Sequence, residues 1–125
     1  LPRKDGEILV RQSQAGYLAE SPRVFMLKPD IIRKNQAGEI IEILDTKWKL
    51  IDEATEYSNG RSDEKWGISQ ADMYQLYAYG KKLLPEGKGQ VTFIYPEWQG
   101  FSTPKQFDLG DGLTLRVLPF RLNEY

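Results

Sequence analysis

An α/β fold, with a mixed central sheet and a flanking helix, is predicted by three features of the sequence. Residues 39–50 alternate apolar and polar side chains at the period of a strand. Residues 69–84 repeat apolar side chains at the period of a helix, and residues 90–95 form a short apolar run closed by Pro96. Strands, then a helix, then further strands make that architecture. At 125 residues without a repeat, the chain has the size of one domain with its own core.

Taken in order, residues 7–12 are expected to form a strand through Ile8, Leu9 and Val10. Residues 14–22 have the chemistry of a turn, with Gly16 and Pro22, and Tyr17 and Leu18 are expected to touch the core. Residues 24–32 read as a strand interrupted by Pro29, whose missing N–H points to an edge position, a bulge or a distortion. A polar turn over 33–38 joins it to the strand at 39–50, and the resulting antiparallel hairpin brings Asp30 towards Asp45. Residues 51–67 are a charge-rich loop. It is either simply solvated or a loop from which Tyr57, Arg61, Lys65 and Trp66 reach a nucleic-acid backbone.

The helix at 69–84 starts on a capping-box-like pair, Ser69 and Asp72, and stops at Pro85 and Gly87. Met73, Leu76, Tyr77, Gly80 and Leu84 should form its buried face, with Asp72, Gln75, Tyr79 and Lys82 on the adjoining one. Residues 107–109 and 113–118 flank Gly110-Asp111-Gly112, a hairpin signal, and 119–125 reads as a short extension or the start of a further element.

Composition narrows the chemistry. The chain has neither cysteine nor histidine. That removes Ser-His-Asp and Cys-His catalysis, thiolate or imidazole zinc sites, and histidine as a general base. What remains is carboxylates, lysines, tyrosines and a hard cation. The net charge of −1 gives no global basic field. A local cluster of Lys28, Lys47, Lys49, Arg61, Lys65, Lys81 and Lys82 is expected to gather mainly around the candidate site. No run has membrane-spanning length and the start lacks a secretory layout, so a cytoplasmic protein is expected. The first residue is Leu1, and the chain reads as a piece of a longer protein.

Strand alternation places Asp45, Lys47 and Lys49 on one face of the strand and Leu44, Thr46 and Trp48 on the other, with Trp48 expected in the core rather than stacked on a substrate. Two carboxylates, Asp30 and Asp45, converging beside the Lys47 ammonium are what a magnesium-dependent phosphodiester hydrolase requires.

Pro29-Asp30, a gap of one hairpin, then Asp45-x-Lys47 resembles the PD-(D/E)xK nuclease superfamily. Three blocks, at 25–32, 43–49 and 72–82, resemble McrC, the nuclease subunit of McrBC-type modification-dependent restriction systems. The resemblance implies a restriction-endonuclease-like catalytic domain over 1–125, without the partner-binding region that precedes it in the family. It implies a magnesium-dependent DNA endonuclease, with Mn²⁺ as a possible substitute. Asp30, Asp45 and the Thr46 carbonyl would be the metal ligands, and Lys47 would be catalytic. Gln75 and Tyr79 are similar to the Gln-x-x-x-Tyr motif of RecB-like members, where these residues lie by the metal and the substrate phosphate. Members often carry a further acid on a helix upstream of the first strand; no such helix is expected here, and Glu7 or Glu20 would have to substitute. The implied partners are modified duplex DNA and a McrB-like, GTP-hydrolysing AAA+ subunit. The alternatives are a RecB-like exonuclease or repair module, and a non-catalytic DNA-binding scaffold of the same fold.

Overall fold

The computed structural model describes residues 7–11, 16–20, 23–54 and 64–121. The elements run β1 (Ile8–Arg11), β2 (Gly16–Glu20), β3 (Arg23–Leu27), β4 (Ile31–Lys34), β5 (Ile40–Thr46), β6 (Glu64–Lys65) and β7 (Ile68–Ser69). They continue through helix α1 (Gln70–Leu83) to β8 (Gly89–Pro96), β9 (Lys105–Asp108) and β10 (Leu113–Phe120).

Six strands form one mixed sheet in the order β1-β4-β5-β8-β10-β9. β5, β8 and β10 are mutually parallel neighbours, while β1, β4 and β9 join antiparallel. A parallel step from β5 to β8 cannot be closed by a tight turn, and α1 lies in that crossover. The helix covers one face of the sheet. Leu76, Tyr79 and Leu84 pack there with Ile43, Val91, Phe93, Leu113 and Leu115. Gly80 lets the helix approach: a Cβ there would lie 2.8 Å from Val91 Cγ1. Ser69 caps α1 as expected, its hydroxyl accepting from the Asp72 N–H at 3.1 Å.

Several expectations are corrected. The segment at 24–32 is two strands in different sheets: β3 pairs with β2, and β4 with β1 and β5, so Pro29 is a buried corner between them and not an irregularity within one strand. Residues 16–20, assigned to a turn, form β2; two glycine and proline signals outweighed a short apolar run that needed β3 to reveal it. The strand expected at 39–50 ends at Thr46, where the Lys47 N–H makes one last bond to the Ile94 carbonyl at 2.9 Å before the chain leaves the sheet. Alternation therefore lapses, and Trp48 is 74% exposed instead of sitting in the core.

Trp66, expected in a charge-rich loop that is either solvated or in reach of a nucleic-acid backbone, is buried against Phe107. Its residue sits in the turn between β6 and β7, which Gly67 and the capped start of α1 fold back onto the sheet. Tyr77 is 39% exposed and Tyr79 is buried instead, while Leu76, Gly80 and Leu84 are buried as expected. Lys81 and Lys82 lie in the last turn of α1, whereas Asp72 lies in the first, so these lysines are roughly 14 Å along the axis from the candidate site. Tyr57 and Arg61, and the side chains of Tyr17, Leu18, Glu20 and Lys65, for which a core or site role was expected, lie outside the described residues.

Candidate active site

The site forms where the parallel strands end. The register Ile31↔Leu44 sets Asp30, one residue before β4, opposite the end of β5, so the hairpin brings the two aspartates together as its sequence required. Thr46 holds Asp30 in place twice: its N–H and its hydroxyl both donate to Asp30 Oδ2, at 2.9 and 2.8 Å. Asp45 pairs with Phe93 of β8 and so faces α1, where it is 8% exposed. The Lys47 ammonium reaches back to Asp45 Oδ2 at 2.9 Å and across to Asp72 Oδ1 at 3.5 Å.

The two carboxyls behave oppositely although they touch. Burial pushes the Asp45 carboxyl above its ordinary value, and the neighbouring Asp30 adds to this while Lys47 opposes it. Burial also acts on Asp30, but the Thr46 N–H and hydroxyl, a hydrogen bond with Asp45 and the charge of Lys47 outweigh it and hold that carboxyl below its ordinary value. Burial disfavours the Lys47 ammonium, yet Asp45 and Asp72 more than compensate and raise its pKa. Three carboxylates and one ammonium leave a negative balance, a setting that favours a cation.

Two groups join the site that sequence reasoning did not place there. Asp72 was assigned to the helix cap, and its first-turn position explains it locally, which hid the contact of its carboxylate with Lys47. Tyr95 reads as one more apolar strand residue. It is fully buried, and its hydroxyl has no hydrogen-bond partner among the described residues. Burial, then the charges of Asp72 and Asp45, push its ionisation upward, so it stays an O–H donor.

Gln75 and Tyr79 do not join the cluster by contact. Gln75 is exposed and Tyr79 belongs to the core, and neither makes a hydrogen bond to Asp30, Asp45 or Lys47. Glu7 is engaged elsewhere, receiving two nitrogens of Arg33 at 2.7–3.1 Å, and so does not supply the further acid.

For a metal, the donor set is small. No group of three or more carboxylates able to hold an ion occurs among the described residues. Asp30 and Asp45 suffice for magnesium, which takes one or two protein carboxylates and completes its shell with water and phosphate oxygens. The fit is chemical: hard oxygen donors, a negative balance, and one carboxyl held ionised by Thr46.

A sheet of mixed strands with one flanking helix, carrying paired aspartates and a lysine at the ends of its parallel strands, defines an α/β protein with a compact acidic site. Residues 3–96 match the family described as McrBC 5-methylcytosine restriction system component, and the chain belongs to that family. No curated protein and no solved structure matches it. Among the described residues no helix is long and apolar enough to cross a membrane.

Proposed function

We propose that this chain is a magnesium-dependent endodeoxyribonuclease with a PD-(D/E)xK core, the cleavage component of a modified-cytosine-dependent restriction system activated by a GTP-hydrolysing AAA+ translocase. The observation that carries the reading is the convergence of Asp30 and Asp45 beside the Lys47 ammonium at the end of β5. Membership of the McrBC family supports the restriction role.

Asp30, Asp45 and the Thr46 carbonyl would hold Mg²⁺, or Mn²⁺ in its place. When bound, the ion supplies Lewis-acid polarisation of the phosphoryl group. Lys47, anchored between Asp45 and Asp72, orients the attacking water and offsets charge growing on the phosphate. Thr46 keeps Asp30 ionised and fixed. Tyr95 donates its O–H from the core side. Gln75, exposed on α1 beyond Asp72, contacts the substrate backbone, and Tyr79 supports that contact by holding α1 against the sheet. Nothing in this set reads a base edge, so the choice of target falls to the partner.

The test is cleavage of closed circular methylated DNA by the protein together with its GTPase, comparing the native sequence with Asp45→Ala and Lys47→Ala. Both variants are expected to lose cutting while keeping fold and partner binding. Undiminished cutting would place the nuclease elsewhere. Without the GTPase the native chain is expected to cut slowly, and rapid cutting in Mg²⁺ alone counts against activation by the partner.

A further inference from the structure

The sheet has a second face at the same end as the acidic site. Phe93 and Asp45 face α1, so their neighbours Ile94 and Thr46, which pair with each other, face away from it. On that side lies a pocket of about 220 Å³. Ile31, Ile94 and Phe120 contribute apolar walls, and Trp48, the most exposed large apolar side chain described, forms part of its rim. Its polar contributors are Arg11, Thr46 and Lys47.

Two of these residues belong to both places. Thr46 holds Asp30 by its N–H and hydroxyl, and Lys47 pairs with Asp45. The pocket and the acidic site are thus back to back across one strand end, and the Cα atoms of Lys47 and Trp48 are about 3.8 Å apart. A tryptophan left 74% exposed forgoes the burial that its size makes favourable. Its placement one residue after the lysine of the site gives that exposure a purpose.

We propose that this pocket receives a nucleobase unstacked from the strand being cut, next to the scissile phosphate, with the base stacked on Trp48. The inference rests on the nuclease reading above and extends it to the substrate. Apolar walls with an exposed aromatic ring suit any base face, and Arg11 in the same lining suits a flanking phosphate. The scarcity of polar atoms in the walls fits stacking without readout, consistent with a partner that selects the target.

The experiment uses tryptophan fluorescence with EDTA present, so that no cutting occurs, and oligothymidylate as the probe. Trp66 is buried, and the Trp98 indole N–H is held by the Ile51 carbonyl at 2.6 Å, so quenching by an added strand reports chiefly on Trp48. The native chain is expected to be quenched. Trp48→Leu should abolish the quenching and weaken binding roughly five- to a hundredfold, the span of base stacking, while Trp48→Phe keeps most of the affinity. A duplex with one abasic site should bind the native chain and Trp48→Leu nearly alike. Equal affinity of native and Trp48→Leu for oligothymidylate overturns the inference, as does a native chain that is not quenched. Whether the nuclease reading falls with it is decided separately, by whether cutting by the protein with its GTPase depends on Lys47.

Discussion

Two buried acids stand three residues apart on β5, and they are treated differently. Glu42 is 1% exposed, and its carboxylate accepts from Arg33, from the Thr92 hydroxyl and from Arg116, the last at 2.6 Å. Arg33 in turn holds Glu7, so the network crosses four strands on the face without α1. Asp45, on the other face, has one ammonium for a partner and a second carboxyl as neighbour. Glu42 has more positive charge than it needs and Asp45 has less. A buried carboxylate surrounded by arginines is part of the fold, whereas one left short of compensation marks a candidate functional group, here the metal ligand proposed above.

The most damaging way to break this contrast is to remove the satisfied acid. Glu42→Ala leaves the guanidinium groups of Arg33 and Arg116 partly buried without their shared counter-charge, and is expected to destabilise the fold by about 3–5 kcal/mol in denaturant unfolding. A loss below about 1 kcal/mol would show that water repairs the network. On the other face, Lys47→Ala should leave the unfolding midpoint near its native value and lower cleavage with the GTPase by roughly a hundred- to a thousandfold, the range for losing one transition-state donor. If both substitutions act on stability alone, the difference between the faces has no functional content.

The sequence made one side of this contrast legible and not the other. The alternation through Asp45, the hairpin to Asp30 and the cap of α1 are local patterns, so the approach of Asp30 to Asp45 beside Lys47 is legible in the spacing. Pairings between distant strands carry no such mark. Nothing about Arg33, Glu42, Thr92 and Arg116 reveals that a crossover sets them side by side, and Asp72 was hidden behind a sufficient local role as a first-turn acid. Trp48 misled for the opposite reason: strand periodicity was carried two residues past the point where the ladder stops. Helix phase was read correctly to within one neighbour, with Leu76 and Gly80 buried and Tyr77 exchanged for Tyr79.

Asp72 sharpens the comparison by a smaller step. Its carboxylate lies 3.5 Å from Lys47, and both side chains are about a quarter exposed, so water weakens the pair to about 1 kcal/mol or less. Asp72→Asn is therefore expected to lower cleavage about two- to fivefold, by loosening the position of Lys47 while keeping the helix cap, whose bond uses the Asp72 N–H. A loss as large as that of Lys47→Ala would instead make Asp72 a direct participant.

The smallest effect has the most telling sign. Because burial raises the Asp45 carboxyl while Asp30 is held low, ionising Asp45 costs the metal-free fold stability, whereas ionising Asp30 adds to it. The Asp45 cost is absent below the unfolded carboxyl value of about 3.9 and sets in as pH rises through its higher folded value. The Asp30 contribution runs the other way, present above about 3.9 and lost as pH falls through its lower folded value. Asp45→Asn removes the cost and keeps the shape. It should therefore raise the thermal midpoint in EDTA by a few degrees at neutral pH, and by less near pH 4. Millimolar Mg²⁺ should raise the midpoint of the native chain and leave that of the variant unmoved, since the ion stabilises only a state that binds it. A variant less stable than the native chain at neutral pH in EDTA would mean that the Lys47 pairing outweighs burial, and Asp45 would then belong with Glu42 among the acids that hold the fold together.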